Sequence, residues 1–289
     1  MAVGIVTDST AALPSELQAQ WGIAVVPLSL TVDGRTIKDG DLAISEILTA
    51  QNYSSASPSP GAFAKAIATQ NQGDGVLVIT VASTLSTTHQ AAALAAQEAA
   101  CRTQVVDSRT AAGGQALVAT AAARACQAGA DLTEVTARAQ HVARKVKLLG
   151  ALRNLDQLIR SGRVPGLAGR AGNRLGIRPL FQIHDGTISK LRPALSDHAA
   201  NQRILARWRH TLKDTLKDTP ASALESTKAS TRQQLHLVSL HAEAHDHAQT
   251  LLDAVTAEVE PAEYFISSFG QAMIINSGIG VRGLAWYWD

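Results

Sequence analysis

Cysteine is nearly absent from this chain: among 289 residues only Cys101 and Cys126 occur, each inside a helical pattern. They form no close pair of the kind that ligates a metal or cycles through a disulfide, so no cysteine framework holds the fold. Aromatic residues are also few, at 4% against abundant alanine, so helices must pack closely with thin side chains. Neither sign of charge dominates. A formal net charge of +2 supplies no general attraction for nucleic acid or an anionic membrane surface. No apolar stretch approaches the ~20 residues of a membrane span. No basic segment with an apolar targeting run precedes the opening strand VGIVTDST, and a soluble cytoplasmic protein is expected. Nucleotide motifs are missing as well. There is no G-x-x-x-x-G-K-[ST], and no G-x-G-x-x-G follows the first strand, so neither a P-loop nor a dinucleotide site is expected, and no cofactor.

What the chain does have is apolar surface, 46% of its residues, enough for a sizeable core. In the first half short apolar runs alternate with helical patterns, the signature of a parallel α/β sheet. Strands are expected at Val3–Asp8, Ile23–Val32, Gly75–Val81 and Thr103–Ser108, with DGRTIKDG as a turn after the second. Helices are expected from about Leu85, from Gly113 to Ala128, and from Asp131 to Lys147, the last with Asp131 as N-cap. Near residue 150 the pattern changes. A Gly- and Arg-rich stretch leads to RPLFQIHDGTI, two strands about an Asp185-Gly186 turn. A long polar helix from Ser196 to Lys217 follows, then a strand QLHLVSLHA, a helix from Asp246 to Val259, and closing strands AEYFISS and AMIINSG. The fold class read from this order is α/β with two domains. Residues 1–150 form a parallel sheet flanked by helices, and residues 151–289 form an α+β domain with a mixed or antiparallel sheet. The two are expected to meet at a cleft.

In parallel α/β sheets ligands sit beyond the carboxyl ends of the strands. Those ends carry Thr7, Asp8, Ser9 and Thr10 after the first strand, and Asp107, Ser108 and Thr110 after the fourth. The third is followed by ITVASTLSTTHQ, with Ser83, Thr84, Ser86, Thr87 and Thr88 crowded at one corner without a lysine or glycine among them. One capping hydroxyl per helix would suffice. Hydroxyls beside the unpaired amides of a helix start suit an anion, and the lack of lysine suits a singly charged headgroup such as a carboxylate.

The sequence also offers other chemistries. Ser86 and His89 lie three apart, within one helical turn, but STLSTT is not a G-x-S-x-G nucleophile elbow, which argues against a serine hydrolase. His241, His245 and His247, with Glu243 and Asp246, invite a metal reading. Their spacing points them different ways, and a solvated helix start accounts for them better. Arg160, Arg163, Arg170, Arg174 and Arg178 form either a solvated basic loop or a docking surface for an acidic partner or phosphate.

In order and spacing, IVTDSTAALP, VVPLSLTVDGRTIKDG, SASPSPGAF, ASTLSTTHQAA, VVDSRTAAGGQ, LRNLDQLIRSGRV and GIRPLFQIHDGTI together resemble the DegV family across nearly the whole chain. These are fatty-acid-binding proteins that serve as binding subunits of bacterial fatty acid kinase. The resemblance implies two α/β domains with an acyl chain buried between or beneath them. It implies a carboxylate held at the positions of Ser55, Ser86 and Asn276. Thr7, Asp8, Ser9, Thr87 and His89 are then further contacts of the pocket or of helix N-termini, and Arg163, Arg170 and Arg192 a surface for the kinase. On this reading the protein is not itself an enzyme: it binds a long-chain fatty acid and presents the carboxylate to a separate kinase. Hydrolysis by Ser86, or carriage of another lipophilic carboxylic acid, are the alternatives. The chain departs from the family pattern in three places. Ser55 replaces a threonine and keeps the hydroxyl. Thr87 and His89 replace glycine and tyrosine. Asn276, in NSGIG, replaces a histidine, so it can donate a hydrogen bond to a carboxylate but carries no charge.

Overall fold

The structure, a computed structural model, describes residues 2–162, 176–217 and 233–289. Strand β1 (Gly4–Asp8) is buried at every residue, as a central parallel strand covered on both faces must be, its polar end Thr7-Asp8 included. It pairs with β2 (Ile23–Val26) on one side and β6 (Val76–Thr80) on the other, and β7 (Thr103–Asp107) extends the sheet to the order β2-β1-β6-β7, all parallel. Helix α1 (Ser15–Trp21) connects β1 to β2 after a 3-10 turn at Ser9–Ala11.

The expected second strand, Ile23–Val32, is two strands. Pro27, which has no N–H to give a ladder, separates β2 from β3 (Ser29–Val32). The expected turn DGRTIKDG also contains a strand. Asp33 (φ 45°) and Gly34 (φ 83°) make a tight left-handed turn, and β4 (Arg35–Lys38) returns antiparallel to β3. After α2 (Ile44–Thr49), β5 (Tyr53–Ala56) pairs on the other side of β3 to give a separate sheet, β4-β3-β5. Helices α3 (Pro60–Gln70) and α4 (Thr88–Gln97) then flank the parallel sheet.

Helix α5 (Ala112–Gln127) is buried continuously from Ala112 to Ala123. It lies between the parallel sheet and a six-stranded sheet, in a core that joins Ile5, Leu77 and Ile79 of the first to Val238, Leu240 and Ala285 of the second. Thin alanines make this approach close. At Gly113 even a Cβ would fall 2.5 Å from Val238 Cγ1.

Helix α6 (Leu132–Lys145) starts as its sequence signals. The Asp131 carboxylate accepts from the amides of Thr133 (2.8 Å) and Glu134 (2.9 Å), and Glu134 returns a bond from the Asp131 amide at 3.0 Å. Asp131 is exposed and packs against little, so Asp131→Ala should cost about 1 kcal/mol, all of it from the cap. Urea denaturation checks this, and a loss within error would show the cap to be replaced by water.

The end of that expected helix is instead β8 (Lys147–Ala151), which enters the six-stranded sheet. Its order is β10-β9-β8-β13-β11-β12, formed with β9 (Arg178–His184), β10 (Thr187–Ala194), β11 (Leu235–His241), β12 (Glu263–Ser268) and β13 (Arg282–Trp288). All neighbours are antiparallel except β11 and β12. Strand β13, central in the sheet, was not anticipated. Helix α7 (Asp156–Ser161) follows β8. On the face away from α5, α8 (Asp197–Lys217) and α9 (His245–Thr256) cover the sheet with Ile204, Trp208, Leu251 and Val255. The segment AMIINSG, expected as a closing strand, is helix α10 (Gln271–Ser277). Its residues are wrapped by two cores, with Ile274 and Met273 toward α5 and Ala272 and Ile275 toward β3. A short run buried on all sides carries no period by which to tell helix from strand.

Candidate functional site

Among the described residues one cavity, of about 130 Å³, is walled almost entirely by apolar side chains. Val81 and Leu85 come from the corner after β6, and Ala111 and Ala112 from the start of α5. Leu148, Phe181, Ile183 and Ile188 form the wall on the six-stranded sheet, and Phe269 and Met273 stand opposite. Its polar members are Asn276 and Ser277, side by side at the end of α10.

The hydroxyl-rich corner divides its work. Ser83 bonds Asp107 through its hydroxyl (2.6 Å) and its amide (3.1 Å), and Thr84 donates to the Gly186 carbonyl (2.7 Å) in the β9–β10 turn. The Ser83 bonds stay within the parallel sheet, whereas the Thr84 bond and the Arg109–Asp185 ion pair tie that sheet to the six-stranded one. Leu85 turns into the cavity. Ser86, Thr87 and Thr88 then form a linked hydroxyl group. Ser86 Oγ lies 2.8 Å from Thr88 Oγ1 and accepts from the Thr88 amide at 3.3 Å. Ser57 Oγ lies 3.3 Å from Ser86 Oγ and 2.6 Å from Thr87 Oγ1.

Ser55 sits two residues before Ser57, and Asn276 Nδ2 donates to its hydroxyl at 3.0 Å and to the Ala272 carbonyl at 2.8 Å. The structure therefore brings Ser55 and Asn276 into contact. It joins Ser86 to the segment after β5 through Ser57, but of the three expected carboxylate residues only Asn276 is in the cavity lining; Ser55, Ser86, Thr87 and His89 stand outside it. Ser57 was not singled out from the sequence, although it lies inside the quoted SASPSP segment.

Thr7, Asp8 and Ser9 do not line the cavity. Thr7 and Asp8 are fully buried, and Thr7 donates to the Ile79 carbonyl at 2.8 Å. The Asp8 carboxylate accepts from the Thr10 amide, the Thr10 hydroxyl, the Val81 amide and Gln115 Nε2. Burial pushes this carboxyl above its usual range, and these donors pull against that push. Through Val81 the network fixes the corner's backbone. Ser9 donates to Asp39 (2.6 Å), whose other oxygen accepts from the Ala272 amide (3.0 Å) in the first turn of α10. Gln271 accepts from the Gly40 amide at 2.6 Å and donates to the Leu42 carbonyl. These contacts hold the helix that carries Asn276, and neither Asp39 nor Gln271 stood out in the sequence.

His89 Nδ1 is 3.1 Å from Thr80 Oγ1, while Ser86 is engaged with Ser57 and Thr88, so the Ser–His pairing a hydrolase needs is not formed. His241, His245 and His247, with Glu243 and Asp246, line a second, polar cavity of about 640 Å³ together with Arg153, Arg178, Asp197 and Arg282. Among the described residues no histidine, cysteine or carboxylate group has the arrangement of a metal site. Desolvation, and then the neighbouring His245, hold His241 below the usual histidine range. Of the arginines, Arg160 donates to the Tyr53 hydroxyl (3.2 Å), and Arg178 pairs with Asp197. That pairing, against partial burial, and the neighbouring Arg282 lower the Asp197 carboxyl to about 2. Arg192 is exposed on the edge strand β10; Arg163, Arg170 and Arg174 lie outside the described residues.

The arrangement is that of an α/β protein in which two sheets share a buried helix and enclose an apolar cavity with one amide and one hydroxyl, Asn276 and Ser277, in its lining. The family model described as "uncharacterised protein, DegV family" matches residues 2–289, and the chain belongs to the DegV family. A DegV domain-containing protein of Mycobacterium tuberculosis is 31% identical over 288 residues, spanning 98% of this chain and 96% of its own. A DegV lipid-binding protein of Thermotoga maritima shares the fold with a TM-score of 0.84 at 26% identity, over 100% of this chain and 99% of that one. A DegV family protein of Thermus thermophilus, described by its fatty acid binding, matches with a TM-score of 0.84 at 25% identity over 100% of both chains. Among the described residues no helix is long and apolar enough to cross a membrane.

Proposed function

We propose that this protein binds one long-chain fatty acid, with its carboxylate at Ser55, Ser86 and Asn276 and its tail in the apolar cavity. It then presents the headgroup to a separate kinase in the cytoplasm. The observation that carries the reading is the cavity itself, apolar except at Asn276 and Ser277; Ser55 touches Asn276 from behind that lining, and Ser86 follows Leu85, which lines the cavity. An amide and two hydroxyls can each give a hydrogen bond to a carboxylate, and burial of the tail supplies ~0.8 kcal/mol per methylene. The cavity draws Val81, Leu85, Ala111 and Ala112 from the parallel-sheet half and the rest of its lining from β8 onward, Leu148 included, which supports two halves, 1–150 and 151–289, with the ligand between them and β8 crossing the boundary. The described fatty acid binding of the Thermus thermophilus protein supports the same ligand class. A role as carrier rather than enzyme is supported by the missing nucleotide motifs and the unformed Ser86–His89 pair. Arg192, with Arg163 and Arg170, would face the kinase.

The test is titration of palmitate into delipidated protein. A hydrogen bond to a charged group contributes enough that Ser86→Ala and Asn276→Ala should each weaken binding roughly 10- to 100-fold, without unfolding. Unchanged affinity in both variants would move the headgroup elsewhere. Ester hydrolysis abolished in Ser86→Ala would replace the carrier with a hydrolase.

A further inference from the structure

The cavity lies across the six-stranded sheet rather than along it. Its sheet wall is drawn from Val281 at the start of β13, Leu148 of β8, Phe181 and Ile183 of β9 and Ile188 of the edge strand β10. From β13 to β10 is three strand spacings, about 14 Å. A tail whose headgroup stands at Asn276 therefore runs outward over these strands.

Two cross-strand rows make the face beneath it. One is Ala285, Leu148, Ile183 and Ile188, a continuous apolar ridge. The other begins with Gly283 and Gly150, directly opposite each other, and continues to Phe181. The Gly283 backbone is pressed against β8, where a Cβ would fall 2.2 Å from the Leu149 carbonyl oxygen, and Gly150 leaves a trough without a side chain. The Phe181 ring fills it: a Cβ built on Gly150 would lie 2.7 Å from Phe181 Cζ and 2.8 Å from Cε1. The ring thus rests on the bare backbone of Gly150 and forms part of the cavity wall at the same time. Its position is set from below by the missing methyl and felt above by whatever occupies the cavity.

We propose that Phe181, seated on Gly150, selects the size of the acyl chain this protein accepts. The inference rests on the fatty-acid reading of the cavity. Removing the ring opens the trough and lengthens the space for the tail. Adding a methyl at Gly150 displaces the ring into the cavity and shortens it. The two changes act in opposite directions through one side chain, which a general loosening of the fold would not do.

Delipidated wild type, Phe181→Ala, Gly150→Ala and the double variant are each offered an equimolar series of saturated acids from decanoate to eicosanoate. Native mass spectrometry reads the bound set, and titration reads the affinities. Phe181→Ala should shift the preference to longer acids, by roughly tenfold if two more methylenes are buried. Gly150→Ala should shift it to shorter acids by a similar factor. The double variant should follow Phe181→Ala, since no ring remains to be displaced. If Gly150→Ala does not fold, Phe181→Leu serves instead and should fall between wild type and Phe181→Ala. An unchanged order of preference in the folded variants overturns the proposal. So does a shift in Gly150→Ala that persists when Phe181 is absent. A folded wild type that takes up none of the acids defeats the binding reading itself, a result distinct from either.

Discussion

Asp8→Ala is expected to lower stability by about 4 kcal/mol at neutral pH, because it strands buried donors that have no other acceptor. Asp8 is fully buried, and its two oxygens take the amides of Thr10 and Val81, the Thr10 hydroxyl and one Gln115 N–H. The Thr10 hydroxyl keeps Gln115 Oε1 at 2.8 Å, and Gln115 Nε2 keeps Thr7 at 3.0 Å. The two backbone amides keep nothing, and each costs ~1–3 kcal/mol when left unpaired. Asp8→Asn retains one acceptor but aims its amide at donors, so it should recover only part of the loss. Urea denaturation of the three proteins gives the ordering. A deficit below about 1 kcal/mol in Asp8→Ala would mean that water has entered and met the amides. Because Val81 both bonds Asp8 and lines the cavity, the proposed binding of palmitate should also weaken in Asp8→Ala, even though Asp8 does not line the cavity.

The second large effect lies at the far end of α5. Arg124 forms an ion pair with Glu263 and donates to the Tyr287 hydroxyl at 2.9 Å, and His236 Nδ1 is 3.2 Å from the same carboxylate. Burial pushes the Glu263 carboxyl up, but His236 and Arg124 together more than reverse this, so it lies below the usual glutamate range. Burial likewise raises the Tyr287 hydroxyl to about 12, so it stays protonated. A carboxyl depressed on folding stabilises the protein above its unfolded pKa, and that contribution is lost as the pH falls through its folded value. Arg124→Met leaves Glu263, only 14% exposed, as a charge paired with little but His236, and should cost about 3 kcal/mol at pH 7. In acid Glu263 takes up a proton, sooner in the variant than in the wild type, so the difference between them should narrow below about pH 4.5. Denaturation at neutral and acidic pH checks both parts. A deficit that stays constant with pH would assign the loss to the packing of the arginine stem rather than to its charge.

Where side-chain alternation or an unbroken apolar run was combined with turn residues, the sequence was legible: β1, β6, β7, β11 and the β9–β10 hairpin lie where they were expected. Three kinds of element escaped. Strand β3 was hidden by continuity with β2, because Pro27 breaks the ladder without breaking the apolar run. Strands β8 and β13 have no local marker. KLLGA continues the apolar period of α6, and RGLAWYW owes its place to pairing with strands far off in sequence. Helix α10 was read as a strand because Ile274 and Ile275 favour strands locally, whereas its helicity is imposed by packing between two cores.

The site was less legible than the fold. A crowd of hydroxyls at one corner marked the stretch Ser83–Thr88 as a candidate from the sequence alone, and Ser86 was picked out of it by family resemblance. Ser55 and Asn276, 221 residues apart, were found only through family resemblance. Ser57, Asp39 and Gln271 act through contacts that only the folded chain creates, and single polar residues of common type leave no signal in a sequence.

Helix α5 has a consequence for how the molecule comes apart. Its amides are shielded by the parallel sheet on one face and the six-stranded sheet on the other, so neither sheet can detach and leave it covered. Opening either one exposes a stripe of alanine and leucine that nothing else among the described residues covers. The two halves that a ligand would separate in space are therefore joined in thermodynamics, and α5 should exchange its amide hydrogens only with global unfolding. A division of labour between the halves has to operate within one cooperative unit, through shifts of side chains and loops rather than through the parting of independent lobes.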